Sequence, residues 1–389
     1  FCFMAVKLKS TLLFYLFLAI GLQSCAQAPI VSGAENFEKY LHNIANKKVG
    51  IVAHQASLVF GKTHLIDTLL SLGVAVQKVF APEHGFRGRA DAGETIYDQK
   101  DKKTGLQILS LHGKTKKPSE ESLENISVMI FDLQDVGVRF YTYLSTLHYV
   151  MEACAENDIP LIVLDRPNPN AHYVDGPVLS EENKSFLGMH PVPIVYGMTI
   201  GEYAKMINGE GWLNNKLKCD LTIIKLKNYS HKTSYELPVR PSPNLPNKQA
   251  IALYPSLCLL EPTKISVGRG TEMQFQIYGH PDLNKDGFSF KPLPNFGSKN
   301  PKLKGKICYG KDLSKIEFPK KIHLEWLINA YNESPNKSDF FLKGFYRIAG
   351  TKNLESQIKA GVSEKVIRES WEEDLNHFRS IREKYLIYP

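Results

Sequence analysis

Short apolar runs recur along the first part of the chain, and stretches of helical periodicity separate them. Residues 49–53, 74–80, 106–111, 128–131, 161–164 and 221–226 each have the length and apolar character of a buried strand. Between them, Leu65, Ile66, Leu69 and Leu70 fall on one side of a helix over 63–72. Phe140, Tyr143, Leu144, Leu147, Met151 and Cys154 repeat at helical spacing, and Thr199 caps a helix that runs to about Ile207. Shorter helices are expected over 37–44 and after Pro118-Ser119-Glu120-Glu121, which puts proline and acids in a first turn. Strands alternating with helices predict an α/β fold, a doubly wound and mostly parallel sheet.

The rhythm changes after about Lys227. Pro238, Pro241, Pro243 and Pro246 surround Arg240 and Asn244, which predicts a stiff, irregular connection. Beyond it, a helix is expected over 325–331 and a long terminal one over 363–385, carrying Val366, Ile367, Trp371, Phe378 and Ile381. We therefore divide the chain into a leader (1–25), an α/β domain (26–238) and a smaller α+β C-terminal domain (239–389).

In an open parallel sheet the binding crevice lies beyond the carboxyl ends of the strands. Polar groups cluster at those ends: His54, Glu83 with His84, Asp132 with Asp135, and Asp165 with Arg166. The densest stretch is Phe80-Ala81-Pro82-Glu83-His84-Gly85-Phe86-Arg87, where carboxylate, imidazole and guanidinium follow a buried strand directly. Each residue has a plainer structural reading. Glu83 can pair with Arg87, Arg166 with Asp165, and Arg139 with Asp135. Asp135 can cap a helix starting near Arg139.

Several chemistries lose support. No Gly-x-Gly-x-x-Gly follows a strand, and there is no Walker loop, Gly-x-Ser-x-Gly elbow or His-Glu-x-x-His helix. The formal charge of +8 comes without a Lys/Arg stripe interleaved with aromatics, so no nucleic-acid partner is expected. The six cysteines form no Cys-x-x-Cys pair, and Cys154 reads as core. A metal held by His54, His84, His112 and Asp132 is the weaker reading, since dispersed histidines usually serve as structure, and no metal or cofactor is expected. What remains is carboxylate chemistry. Glycoside hydrolysis needs an acid to protonate the leaving oxygen, and a Glu beside proline and phenylalanine fits that role through desolvation.

The amino terminus has its own signature. Lys7 and Lys9 precede an apolar run from Leu12 to Leu22 that is short for a membrane span and ends in Leu22-Gln23-Ser24-Cys25. It resembles a bacterial lipoprotein signal with Cys25 as the acylated residue, although Gln23 replaces the usual small residue. Cleavage near Ala26-Gln27-Ala28 is the alternative. Met4 is the expected start, and the expected location is the periplasm or the outer membrane, held through a lipid anchor.

Longer motifs identify a family. Ala81-Pro82-Glu83-His84-Gly85-Phe86-Arg87-Gly88, the stretch from Phe131-Asp132-Leu133-Gln134-Asp135 to Arg139-Phe140-Tyr141-Thr142-Tyr143, Leu164-Asp165-Arg166-Pro167-Asn168-Pro169, Pro241-Ser242-Pro243-Asn244-Leu245-Pro246, Gly268-Arg269-Gly270-Thr271 and Lys384-Tyr385-Leu386-Ile387-Tyr388 resemble the NamZ-type exo-β-N-acetylmuramidases. The resemblance runs from about Lys48 to Tyr388. It implies a Rossmann-like catalytic domain with an auxiliary C-terminal domain, a cleft between them, and release of N-acetylmuramic acid from the non-reducing ends of peptidoglycan fragments. It makes Glu83 the leading catalytic candidate, with His84 and Asp135 beside it. Arg87, Asp132, Gln134, Arg139, Tyr141, Asp165, Arg166, Asn168, Arg269 and Thr271 are the substrate-binding candidates. Where the family reads Glu-Gly-Thr-Asn, this chain has Glu261-Pro262-Thr263-Lys264, so no substrate contact is carried over to Thr263 or Lys264.

N-acetylmuramic acid carries a lactyl carboxylate, which calls for a fixed cation. Of Arg87, Arg139, Arg166 and Arg269, the last is flanked by glycines and has the least structural explanation; Arg87 ranks second. A sugar-binding lipoprotein without catalysis and a metal-dependent cell-wall deacetylase or amidase are the other functions this pattern admits.

Overall fold

The computed structural model describes residues 28–86, 94 and 97–389; Cys25 and Arg87 lie outside them. Six parallel strands form the central sheet: β1 (Val49–Ala53), β2 (Val76–Ala81), β3 (Gln107–Ser110), β4 (Val128–Asp132), β5 (Leu161–Leu164) and β6 (Leu221–Ile224). Their spatial order is β3-β2-β1-β4-β5-β6, with a short antiparallel strand, Gln99–Lys100, on the β3 edge. The order reverses between β1 and β4, so a crevice opens beyond their carboxyl ends.

Alternation along the strands splits the interior into two layers. Ile51, Val79, Ile130 and Ile162 face helix α1 (Leu65–Ser71), whose Leu65, Ile66 and Leu69 are buried. Val52, Phe80, Phe131 and Val163 face the opposite way, toward α2 (Tyr143–Glu156) and α3 (Ile200–Glu210). Covering both faces explains why β1, β4 and β5 are buried along their whole length and read as unbroken apolar runs. Thr199 opens α3 as expected: its hydroxyl accepts from the Glu202 N–H, and the Glu202 carboxylate accepts from the Thr199 N–H.

Three elements differ from the sequence pattern. Thr63 and His64 pair with Leu58–Val59 in a small hairpin, so α1 starts at Leu65. Helix α2 starts at Tyr143, not near Arg139. The Asp135 carboxylate takes the Gly137 N–H at 2.7 Å in a turn instead of capping the helix. Gly137 has φ +79°, and a Cβ there would meet the Asn168 side chain, so the turn requires glycine. The terminal helix is two helices, Glu364–Glu369 and Glu372–Glu383, broken where the Ser370 hydroxyl bonds back to the Ile367 carbonyl. Ile367, Trp371 and Phe378 are buried, but Val366 is exposed.

The C-terminal region comprises α4 (Lys248–Leu257), a three-stranded antiparallel sheet of β7 (Ile277–His280), β8 (Phe288–Phe290) and β9 (Cys308–Asp312), helix α5 (Leu324–Glu333) and the helices that follow. The pattern had not suggested α4, because Pro255 lies inside it; Asn247 caps it by accepting from the Ala250 N–H.

One apolar cluster joins this region to the sheet, with Phe131 and Leu147 in the same layer as Leu257, Ile322 and Phe340. Buried polar contacts reinforce the join. The Arg139 guanidinium donates to four carbonyls: Pro177 and Val192 from the first half, Ile348 and Ala349 from the second. It does not pair with Asp135, and burial lowers its pKa to about 9. At the other end, the Tyr388 hydroxyl donates to Asp165 at 2.6 Å, and the Ile387 and Tyr388 N–H groups donate to Glu202.

Arg139→Met removes a donor shared by four carbonyls, of which Val192 keeps the Leu179 N–H. It is expected to lower unfolding free energy by at least about 2 kcal/mol, the cost of one or two buried groups without partners. Both halves should still unfold in one transition. Urea titration followed by tryptophan fluorescence and circular dichroism measures both. A loss below about 0.5 kcal/mol would mean the carbonyls find other donors.

Candidate active site

Glu83 and His84 leave the carboxyl end of β2 at the crevice. His84 has φ +71°, a conformation that costs a non-glycine residue free energy and that recurs at functional sites. The Thr142 hydroxyl donates to Glu83 Oε2 at 2.7 Å, and His112 Nε2 stands 4.0 Å from Oε1. Thr142 occupies the capping position of α2 without capping it; its hydroxyl is used on Glu83 instead.

A buried relay holds the Glu83 main chain. His54 Nε2 accepts the Gln134 N–H at 3.0 Å, so the ring proton sits on Nδ1 and is donated to the Tyr143 hydroxyl at 3.1 Å. Tyr143 in turn donates to the Glu83 carbonyl at 3.4 Å. Burial, with Arg166 nearby, holds the His54 pKa well below its usual value, so the ring is neutral.

These groups face a cleft of about 170 Å³. Glu83, His84 and Thr142 form one wall; Ser242, Glu261 and Arg269 of the C-terminal region stand in the other. Phe140, Leu245, Tyr254 and Phe275 supply apolar lining, with Tyr254 edge-on to both phenylalanines. Tyr141 also lines the cleft, and its hydroxyl donates to the Pro241 carbonyl at 2.9 Å.

Arg269 directs Nε and Nη2 at Glu261 Oε2, at 2.9 and 2.8 Å, and its guanidinium lies 5.0 Å from the centre of the Phe275 ring. Burial would raise the Glu261 carboxyl, but Arg269 and Lys302 outweigh it and keep the group ionised. Lys302 donates to the carbonyls of Glu261, Thr263 and Ile265, fixing that segment, and burial lowers its pKa to about 8.

Other candidates lie behind the cleft wall. Asp132 is fully buried and takes Arg166 Nε at 2.5 Å and Nη2 at 2.9 Å. The Arg166 guanidinium therefore pairs with Asp132, not with its neighbour Asp165. Asp165 accepts from the Arg166 and Gly201 N–H groups, Thr199 and Tyr388. Asp135 is buried against the Tyr196 hydroxyl, and burial raises its carboxyl to about 6. The Gln134 amide donates to the Asp135 and Pro167 carbonyls, Asn168 to the Met198 carbonyl, and Thr271 closes its own turn on the Gly268 carbonyl. Among the described residues, no group of three His, Cys, Asp or Glu side chains is placed to hold a metal. The thiols of Cys154, Cys219, Cys258 and Cys308 are buried and free.

Thr142, Ser242, Tyr254 and Glu261 were not singled out in the sequence as site residues, although Thr142, Ser242 and Glu261 lie in or beside its motifs. The available signal was a threonine before a helix start; the other three are brought to the cleft by packing.

The chain is similar to known proteins over most of its length. Residues 49–249 match the N-terminal, and 252–388 the C-terminal, family model of the exo-beta-N-acetylmuramidase NamZ. The chain belongs to the NamZ family. It is 37% identical over 372 residues to the peptidoglycan beta-N-acetylmuramidase NamZ of Bacillus subtilis strain 168, covering 90% of this chain and 89% of that protein. Two DUF1343-family crystal structures from Bacteroides fragilis NCTC 9343 share the fold. One has 44% identity and a TM-score of 0.87, covering 93% of this chain and 99% of its own; the other has 28% and 0.82, covering 92% and 99%.

Proposed function

We propose that this NamZ-family chain is an exo-acting β-N-acetylmuramidase that releases N-acetylmuramic acid from the non-reducing ends of peptidoglycan fragments. The observation that carries the reading is Glu83: a carboxylate at a strand end, its Oε2 held by Thr142, facing a cleft whose opposite wall carries Arg269. Glu83 is the general acid that protonates the glycosidic oxygen as the bond to the sugar breaks. Thr142 fixes its rotamer, and the His54–Tyr143 relay fixes its backbone.

Arg269 is the cation for the lactyl carboxylate. Glu261 occupies Nε and Nη2, while among the described residues Nη1 makes no hydrogen bond. The Glu261 pair thus orients the guanidinium and leaves one nitrogen for the ligand. Cys25 is the acylation site that anchors the enzyme to a membrane, which the leader pattern supports.

Glu83→Gln keeps the shape and removes the proton. Its kcat on a muramyl-N-acetylglucosamine fragment is expected to fall about 10²–10⁴-fold with an unchanged melting temperature. Wild-type kcat would make Glu83 a structural residue. Arg269→Met should cost about 1.5–3 kcal/mol in kcat/KM on a chromogenic muramic acid glycoside. The N-acetylglucosamine analogue, which lacks the lactyl group, should remain equally poor. An unchanged ratio between the two would assign selectivity to shape. Intact-mass analysis of membrane fractions should show a diacyl or triacyl addition that Cys25→Ser abolishes. A soluble wild type beginning after Ala26 or Ala28 would overturn the anchor.

A further inference from the structure

Residues 293–299 expose two large apolar groups. Leu293 is 51% and Phe296 57% exposed, although the backbone around them is tightly held. The Leu293 N–H donates to the Gly270 carbonyl at 2.8 Å, and the Asn295 amide donates to the Thr271 carbonyl at 2.9 Å. On the other side the Asn244 amide donates to the Gly297 carbonyl at 2.6 Å, and Gly297 packs so closely on Pro243 that a Cβ would lie 2.6 Å from its ring. Lys299 reaches Glu94, on the chain that continues from Glu83, at 2.8 Å. The segment is thus tied to the residues following Arg269 and to those following Ser242. Arg269 and Ser242 line the cleft, so Leu293 and Phe296 lie beside that wall.

Covering an exposed aromatic removes apolar surface from water, so two such groups on a tightly bonded segment beside a site offer a ligand a favourable surface. The cleft's volume of about 170 Å³ holds little more than one sugar ring, so a longer substrate must continue over the rim. We infer that Leu293 and Phe296 form the subsite for the leaving part of the glycan, receiving the aminosugar that follows the muramic acid. The axial C–H groups of a β-linked pyranose make an apolar face that packs flat on an aromatic ring. The inference rests on the glycosidase reading and names the other half of its substrate.

The test compares two substrates. Muramyl fluoride has a leaving group too small to reach the rim; a tetrasaccharide fragment with terminal muramic acid crosses it. Phe296→Ala is expected to raise KM for the tetrasaccharide roughly tenfold and to leave kcat/KM for the fluoride unchanged. Phe296→Tyr, which keeps the ring, should behave as wild type on both. Equal losses on both substrates, or none on either, would overturn the subsite. Failure of the wild-type chain to hydrolyse either substrate would instead overturn the glycosidase reading.

Discussion

A charge sent into a closed protein interior must be neutralised or bonded on every side, or it must face solvent. The parallel sheet delivers Glu83, Asp132, Asp135 and Asp165 to one edge, where the C-terminal region covers much of it. The fold answers that constraint residue by residue. Asp132 is closed by Arg166 and Asp165 by four donors; Asp135 bonds Tyr196 and the Gly137 N–H through Oδ2 alone, its buried Oδ1 has no hydrogen bond among the described residues, and burial raises its pKa to about 6. Glu83 differs from them, since it also borders the cleft. The buried acids brace the edge, and of the four Glu83 alone lines the cleft.

The same constraint explains the arginines. Arg139 and Arg166 are almost fully buried, and each is bonded in its own way, one through both terminal nitrogens to four carbonyls and the other to a carboxylate and a carbonyl. Their work is to hold elements together. Arg139 matters most for the cleft, because its partner Ile348 lines that cleft and the bond crosses between the two halves of the chain. Arg269 is tethered by Glu261 but remains in the cleft wall. The wall that carries Glu83 and the wall that carries Arg269 come from different halves, so their spacing depends on the shared apolar cluster that joins them.

The sequence alone determined the α/β half almost completely. Its strands are short, and β1, β4 and β5 are wholly buried, so these appear as unbroken apolar runs; β1 and β5 have the bounds the pattern predicts, and the Thr199 cap is local chemistry. Motifs made Glu83 and the family legible, because the residues that make a turn and present an acid are contiguous. The pattern failed where distant contacts override local preference. Proline disguised α4, a serine back-bond split the terminal helix, and a turn claimed Asp135 before α2 could use it. Only the tertiary structure decided which charges meet. Asp132 and Arg166 lie 34 positions apart, and Arg139 and Ala349 210 apart; Thr142 finds Glu83 across 59 residues. Charge pairing depends on distances that folding sets, whereas strand and helix periodicity is written in neighbouring residues, and for that reason the sequence marked the elements and the candidate acid while the packing assigned the partners.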